Sequence, residues 1–374
     1  MIYLDYNATT PTDPAVVDAM LPYLRELHGN PSSHHAMGRR IRQGIENART
    51  EVAALINSSP DEIVLMSGGT EANNHVVKGL AFARAAGGSI VTSAVEHPSV
   101  ALACRFLERF GIQVIQVGVD RSGRVDPESV RRALRPDTFL VTIMLANNEV
   151  GTIQPIAEIA RVAHAARVLV HTDAAQAVGK IPVDVKALDV DFLTVAGHKF
   201  YAPPGVGALY VRDGQKFESL LHGAGHERGR RAGTEAVPNI IGLGAAAVLA
   251  RKHLGDERIR DLRDRLHRGL TAELGERVVL NGHPELRLPN TLNIGFRGLL
   301  GTDLLAAMDG IAASQGSACH FDQHEPSAVL TAMGVERSVG LGSIRFSVGR
   351  YTTEAEIDEA VQRIVGAYRS LGRR

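Results

Sequence analysis

The sequence lacks the features that would send a chain to a membrane, a secretory route or a nucleic acid. No apolar run approaches the ~20 residues that a membrane span needs. The opening Met1-Ile-Tyr-Leu-Asp-Tyr-Asn has neither a basic stretch nor an apolar core, so no signal peptide is expected. Two cysteines in 374 residues cannot build a disulfide framework, which points to a reducing, cytoplasmic setting. Acidic and basic residues balance at 41 each, leaving no net field to draw nucleic acid or an anionic membrane. The arginines within 251–268 alternate with Asp256, Glu257, Asp261 and Asp264 and read as a solvated helix face. Lysine is scarce too: six residues, at 78, 180, 186, 199, 216 and 252, among the 41 basic ones.

What is present suits a globular protein with two cores. Between about 60 and 211, short β-branched runs alternate with amphipathic stretches. The runs predict strands at Glu62–Met66, Ser89–Thr92, Gln113–Val117, Thr138–Leu145, Val168–Thr172, Phe192–Val195 and Gly207–Val211. Several are apolar throughout, as strands buried on both faces are. Helical spacing between them predicts helices at Val76–Ala85, Val100–Phe110 and Ile156–Ala165. The alternation implies an α/β fold with a mostly parallel sheet. After Pro238 the pattern changes to a long helical region, Ile240 to about Leu274, then the alternating Asn290–Phe296 and shorter mixed elements. Thr353-x-x-Glu356 is a capping box for a last helix. A large domain over 14–250 and a smaller α+β domain made of 1–13 and 251–374 are expected.

Among the lysines, Lys199 stands apart. It follows an apolar strand through Gly197-His198 and precedes Pro203-Pro204-Gly205. Open α/β sheets place ligands at such strand ends, and a desolvated lysine there gains the lowered pKa that Schiff-base chemistry needs. Lys180 and Lys186 flank the turn-like Ile181-Pro-Val-Asp. Asp173 ends the run Val168-Leu-Val-His-Thr, and a carboxylate at a buried strand end needs a partner. A protonated pyridinium nitrogen is one partner; a cap on the next segment is the alternative. Ser67-Gly-Gly-Thr70-Glu71 lies between a strand and a helix, where N–H groups can cradle an anion or simply form a tight turn. Together these pieces suit pyridoxal 5′-phosphate (PLP). His97 is placed to stack on its ring and Asn148 to meet the ring hydroxyl.

Cys104 sits at apolar helical spacing from Val100 and Leu107 and reads as core. Cys319 lies in the polar Gln315-Gly-Ser-Ala-Cys-His-Phe-Asp-Gln-His-Glu-Pro326, a setting for an accessible, reactive thiol. Cys319, His320 and His324 lack a fourth ligand, so no metal site is expected.

The motifs, taken in order, resemble the cysteine desulfurases of the class V aminotransferase-like, fold-type I PLP enzymes. The resemblance rests on Tyr3–Pro11, Gly29–Ser32, Ser67–Glu71, Glu96-His97, Asn147–Gly151, Asp173–Gln176, Gly197–Lys199, His226–Thr234, Gly316–Cys319 and Ser343–Ser347. It implies a seven-stranded, mostly parallel sheet in the large domain and a small domain carrying the catalytic-cysteine loop. It implies further that Lys199 carries PLP, Asp173 pairs with its ring nitrogen, and His97 stacks on the ring and acts as acid and base. Asn148 and Gln176 would bond the ring hydroxyl, and Asn148 would also lie at the substrate. Thr70, His198 and the backbone near Gly69 would hold the phosphate, with Thr234 entering from the second subunit of a homodimer. Arg345 would clamp the substrate carboxylate, a task suited to a guanidinium.

The implied reaction converts L-cysteine to L-alanine and leaves the sulfur on Cys319 as a persulfide. That sulfur would pass to an acceptor protein of iron–sulfur cluster assembly or thiolation, with no direct nucleic-acid or membrane partner. A selenocysteine lyase, or a PLP-binding sulfur-relay protein of low turnover, shares most of these motifs. Two departures stand out. Ala196 occupies a cofactor-site position where relatives commonly have serine, which removes one phosphate hydrogen bond. The sequence also ends soon after its last helix, where many relatives carry a tail that helps dock the iron–sulfur scaffold.

Overall fold

In a computed structural model, the structure describes residues 1–84, 87–315 and 325–372. Its strands, in chain order, are β1 (Ile2–Tyr3), β2 (Ile63–Met66), β3 (Gly88–Ser93), β4 (Ile112–Val117), β5 (Thr138–Thr142), β6 (Leu169–Asp173), β7 (Phe192–Ala196), β8 (Gly207–Val211), β9 (Val278–Asn281), β10 (Thr291–Phe296), β11 (Ile311–Ala312) and β12 (Ser343–Ser347). Seven of them form one sheet in the order β2-β8-β7-β6-β5-β3-β4. Only β8 runs antiparallel to its neighbours β2 and β7. Strands β2, β5, β7 and β8 are buried at every residue, which accounts for their unbroken apolar runs.

The predicted strands of this sheet all form, with ends shifted by a residue or so except at β5. There the expected strand to Leu145 stops at Thr142. The chain beyond still bonds to β6, through Ile143 N–H to the His171 carbonyl (3.2 Å) and Leu145 N–H to that of Asp173 (2.9 Å). The helix expected at Val76–Ala85 begins earlier and spans Gly69–Phe82. Gly68 makes that start possible: at φ +151° it turns β2 straight into the helix, a backbone state that a side chain would strain.

The long helical region after Pro238 is two helices, Val237–His253 and Glu257–Leu274. Leu254 is extended, and Asp256 starts the second helix by accepting from the Arg258 N–H at 3.1 Å. The first of these helices packs against Ala36–Leu55 so closely that a Cβ at Gly244 would lie 2.6 Å from the Ala48 Cα. The arginines of the second are not all solvated. Arg263 is buried, bonding the Leu288 carbonyl and Asp264.

Two apolar clusters cover the seven-stranded sheet, one from Val16 to Leu288 and one from Val64 to Val211; a second core joins Ile2 and Leu4 to Leu262–Tyr368. The second surrounds an antiparallel sheet, β12-β10-β9, and a parallel pair, β1-β11. The capping box at Thr353 forms as expected, Thr353 N–H to Glu356 Oε2 at 2.8 Å and Glu356 N–H to Thr353 Oγ1 at 3.2 Å. Residues 4–10 thread between the cores. Leu4 accepts from the Ser347 N–H of β12 (2.7 Å), and Thr10 N–H donates to the His198 carbonyl (3.0 Å).

Candidate active site

The carboxyl-terminal ends of the parallel strands open on one side of the sheet, where α/β folds bind ligands. Asp173 is the last residue of β6. Lys199 closes the short turn Gly197–Lys199 that follows β7. Thr70 lies in the first turn of the helix after β2, and His97 caps the helix Pro98–Leu107 after β3. Arg345 comes from the other core, in the middle of β12. A cavity of about 370 Å³ is lined by Gly69, Thr70, His97, Asn148, Asp173, Gln176, Ala196, His198, Lys199 and Arg345 together. Residues far apart in sequence and expected at one site do converge.

The Lys199 amine donates to the carbonyls of Asn7 (2.7 Å) and Ala8 (2.8 Å). Burial, and secondarily the nearby Arg345 cation, lowers its pKa to about 8; Asp173 and Asp5 pull the other way. An amine with that pKa is partly neutral near physiological pH and can attack a carbonyl.

Asp173 is buried and receives two N–H donors, Asn73 Nδ2 at 2.7 Å and the main-chain N–H of Ala175 at 2.9 Å. One oxygen makes a local cap with the Ala175 N–H, while the other accepts from the Asn73 side chain. No ion pair to Asp173 forms among the described residues.

The network continues. Asn73 Nδ2 also donates to Ser99 Oγ (2.8 Å), which lies 2.7 Å from His97 Nδ1. The Ser99 N–H donates to the same Nδ1 (3.2 Å), so that nitrogen is an acceptor and the ring proton belongs on Nε2. Desolvation by the cavity walls lowers the His97 pKa. The His198 pKa falls to about 4, through desolvation first and then Lys199 and Lys180.

Arg345 is buried at 3% exposure. It donates to the Asn148 carbonyl (2.9 Å), Asp5 Oδ1 (2.8 Å) and Ser314 Oγ (2.8 Å), and its Nε has no partner among the described residues. The Ala196 methyl, where a hydroxyl was noted as missing, sits close to the Gly69 position: a Cβ there would approach it to 3.3 Å.

The family is decided by comparison over the whole chain. The aminotransferase class-V model matches residues 2–360. The chain belongs to that family. It is 48% identical to a cysteine desulfurase of Gluconacetobacter diazotrophicus, over 99% of this chain and 94% of that one. A solved NifS-like protein superposes with TM-score 0.92 at 37% identity, over 98% of each chain. SspA, solved in complex with cysteine, superposes with TM-score 0.83 at 34% identity, over 94% of this chain and all of that one.

In this class-V aminotransferase family member, Cys319 lies outside the described residues, as do His320 and His324. Thr234 lines a separate hollow with Leu65, Gly205 and Glu227. Its loop is tied down by Glu227, which accepts from Arg49 (2.6 and 2.9 Å) and the Leu65 N–H (2.8 Å). Glu227 and Arg228 both hold positive φ, 49° and 59°, without being glycine. That strain is sustained by the buried ion pair.

Sequence reasoning missed Asn7, Asn73, Ser99 and Lys180. Lys180 lies in a turn, yet its amine is held within the protein by Asn7 Oδ1 (2.9 Å) and Gln176 Oε1 (2.6 Å). A cavity of about 670 Å³ backs onto Lys180 and Lys199 from the other side, lined also by Tyr201, Arg287 and Arg350.

Proposed function

We propose that the chain is a PLP-dependent cysteine desulfurase that converts L-cysteine to L-alanine and passes the sulfur to Cys319. The observation that carries the reading is one cavity holding both a lysine amine with its pKa lowered to about 8 and a buried carboxylate with no cationic partner. The kinship with cysteine desulfurases supports the substrate. The residues fit PLP: Lys199 for its aldehyde, Asp173 for its ring nitrogen, and Asn148 and Gln176 for the ring hydroxyl. Gly69, Thr70 and His198 suit its phosphate, because the first N–H groups of the helix have no acceptors within it. When bound, PLP supplies an electron sink for the α-carbon of an amino acid.

The chain's own residues do the rest. Asp173, held by Asn73 and Ala175, would pair with the ring nitrogen and favour its protonated state. His97, with its proton on Nε2, would face the ring, and Arg345 would orient the substrate carboxylate. The neutral Lys199 amine would take the α-proton as a base. The Cys319 thiolate then forms an S–S bond to the substrate sulfur as the substrate Cβ–S bond breaks. The electron pair stays with the carbon, which gains a proton and leaves as alanine. The atoms balance without an added oxidant.

The reading extends to a homodimer in which Thr234 serves the partner's phosphate site, and to division of the chain into 14–250 and 1–13 with 251–374. An acceptor protein of iron–sulfur cluster assembly or thiolation takes the sulfur. No helix among the described residues is long and apolar enough to cross a membrane.

The test is alanine release from L-cysteine by the PLP-loaded chain, with Lys199→Ala alongside. Turnover by the first and none by the second is expected. Turnover of L-selenocysteine without any of L-cysteine would overturn the substrate assignment.

A further inference from the structure

Two lysine amines, not one, converge on Asn7. Lys199 rests on its main-chain carbonyl, and Lys180 donates to its side-chain Oδ1. Gln176 closes the arrangement, with Nε2 donating to the same Asn7 carbonyl (3.0 Å) and Oε1 accepting from Lys180.

Chemistry alone fixes which end of each amide is which. A main-chain carbonyl only accepts, so the Gln176 atom facing it is nitrogen; the atom facing the Lys180 amine is then the oxygen. Asn7 is fixed likewise: its Nδ2 donates to Thr291 Oγ1 (2.8 Å) and the Asn148 carbonyl (3.3 Å), leaving Oδ1 for Lys180 and Asn290. The Gln176 nitrogen carries two hydrogens, and Asn7 takes one. Because Gln176 also lines the 370 Å³ cavity, the second hydrogen is what it offers there.

Lys180 has no carboxylate partner among the described residues; its two contacts are neutral oxygens. Burial lowers its pKa, and the charged groups facing it, Lys199 and Arg345, are both cationic and lower it further. An amine without a counter-ion is an expensive choice for a purely structural contact. A side chain without a donor at this position would leave the Gln176 amide held at one end only, by the Asn7 carbonyl, and free to swing its N–H away from the cavity.

We propose that Lys180 is a positioning residue: it locks the Gln176 amide with an N–H toward the cofactor cavity and steadies Asn7, on which the Lys199 amine rests. The inference rests on the reading that this cavity holds PLP with its ring oxygen facing Gln176. An N–H aimed at that oxygen draws off negative charge and weakens the oxygen's hold on a proton at the neighbouring Lys199 nitrogen. Without a held N–H there, the oxygen keeps that charge and the hold strengthens.

The experiment is a pH titration of the visible absorbance of PLP-loaded protein without substrate. It compares the wild type with Lys180→Met and Lys180→Gln, each also in a Gln176→Ala background. Lys180→Met should raise the midpoint by about one pH unit, a tenfold change in proton affinity. Lys180→Gln, which keeps an N–H donor but no charge, should stay nearer the wild type. In the Gln176→Ala background, Lys180→Met should add little. No shift in Lys180→Met, or an equal shift with and without Gln176, would overturn the proposal. If Lys180→Met does not fold, the comparison of Lys180→Gln with Gln176→Ala decides. A Gln176→Ala shift that Lys180→Gln does not share supports positioning, and equal shifts overturn it. A wild-type chain that takes up no PLP overturns the proposed function, and this inference with it.

Discussion

Arg345 Nη2 lies 2.8 Å from Asp5 Oδ1 within the cavity that also holds Lys199. The two charges act on the Lys199 amine in opposite senses, the cation lowering its pKa and the carboxylate raising it. They therefore give a handle on the nucleophile that leaves the lysine itself intact.

The first prediction follows from that pair. In PLP-free protein, the reactivity of Lys199 toward an aldehyde should rise with pH through a midpoint near 8, because only the neutral amine attacks. Arg345→Met removes the lowering charge and should move the midpoint upward; Asp5→Asn should move it down. Arg345→Met should also raise KM for cysteine by roughly 10- to 100-fold, the loss of charge-assisted hydrogen bonds worth about 1.5–3 kcal/mol. Midpoints unmoved by either substitution would contradict the electrostatic account.

The second concerns Glu96, next to His97 in sequence. Its buried carboxyl accepts from Ser93 Oγ (2.5 Å) and the Met144 N–H (2.9 Å), while Oε2 has no partner among the described residues. Burial, reinforced by Asp173, pushes its pKa up to about 8. The folded state thus keeps a proton that the unfolded chain releases near pH 4.5. Stability should be greatest below that pH and fall as pH rises toward 8, by roughly 1.4 kcal/mol per unit at most. Glu96→Gln, which cannot ionise, should lack that slope in urea denaturation across pH 5–8. A slope equal to that of the wild type would rule out a protonated Glu96.

The third concerns the loop that carries Thr234. Glu227→Ala leaves the Arg49 guanidinium, whose residue is 5% exposed, with Glu46 and the Ile63 carbonyl as partners, and frees a backbone held at positive φ. The loss of its charge-assisted hydrogen bonds should cost about 1.5–3 kcal/mol in denaturant unfolding. Limited proteolysis should then cut within 226–235 before it cuts elsewhere. A loss under 1 kcal/mol would mean that the ion pair does not hold the loop.

Much of the site was legible in the sequence because it hangs on strand ends. Asp173, Lys199, Thr70 and His97 each follow an apolar run, and a parallel sheet brings such positions to one edge. The hydrogen-bond relay behind them was not legible. Asn73 and Ser99 are 26 residues apart and meet only because two helices start side by side. Lys180 looked like a turn residue because its neighbours are Gly179 and Pro182; only the threading of residues 4–10 between the cores puts Asn7 beside it. The break between the helices ending at His253 and starting at Glu257 was signalled by Gly255-Asp256. The apolar spacing on either side masked it.

The most direct test of the central claim compares the PLP-loaded wild type with Cys319→Ala on L-cysteine, measuring alanine release and added sulfur by mass. Cys104 cannot stand in for the missing thiol: it is fully buried, and burial pushes its pKa up to about 12. The account predicts that the wild type releases alanine and gains one sulfur on Cys319. The variant should keep its cofactor absorbance yet release no alanine. Alanine release by Cys319→Ala at the wild-type rate would contradict the persulfide mechanism.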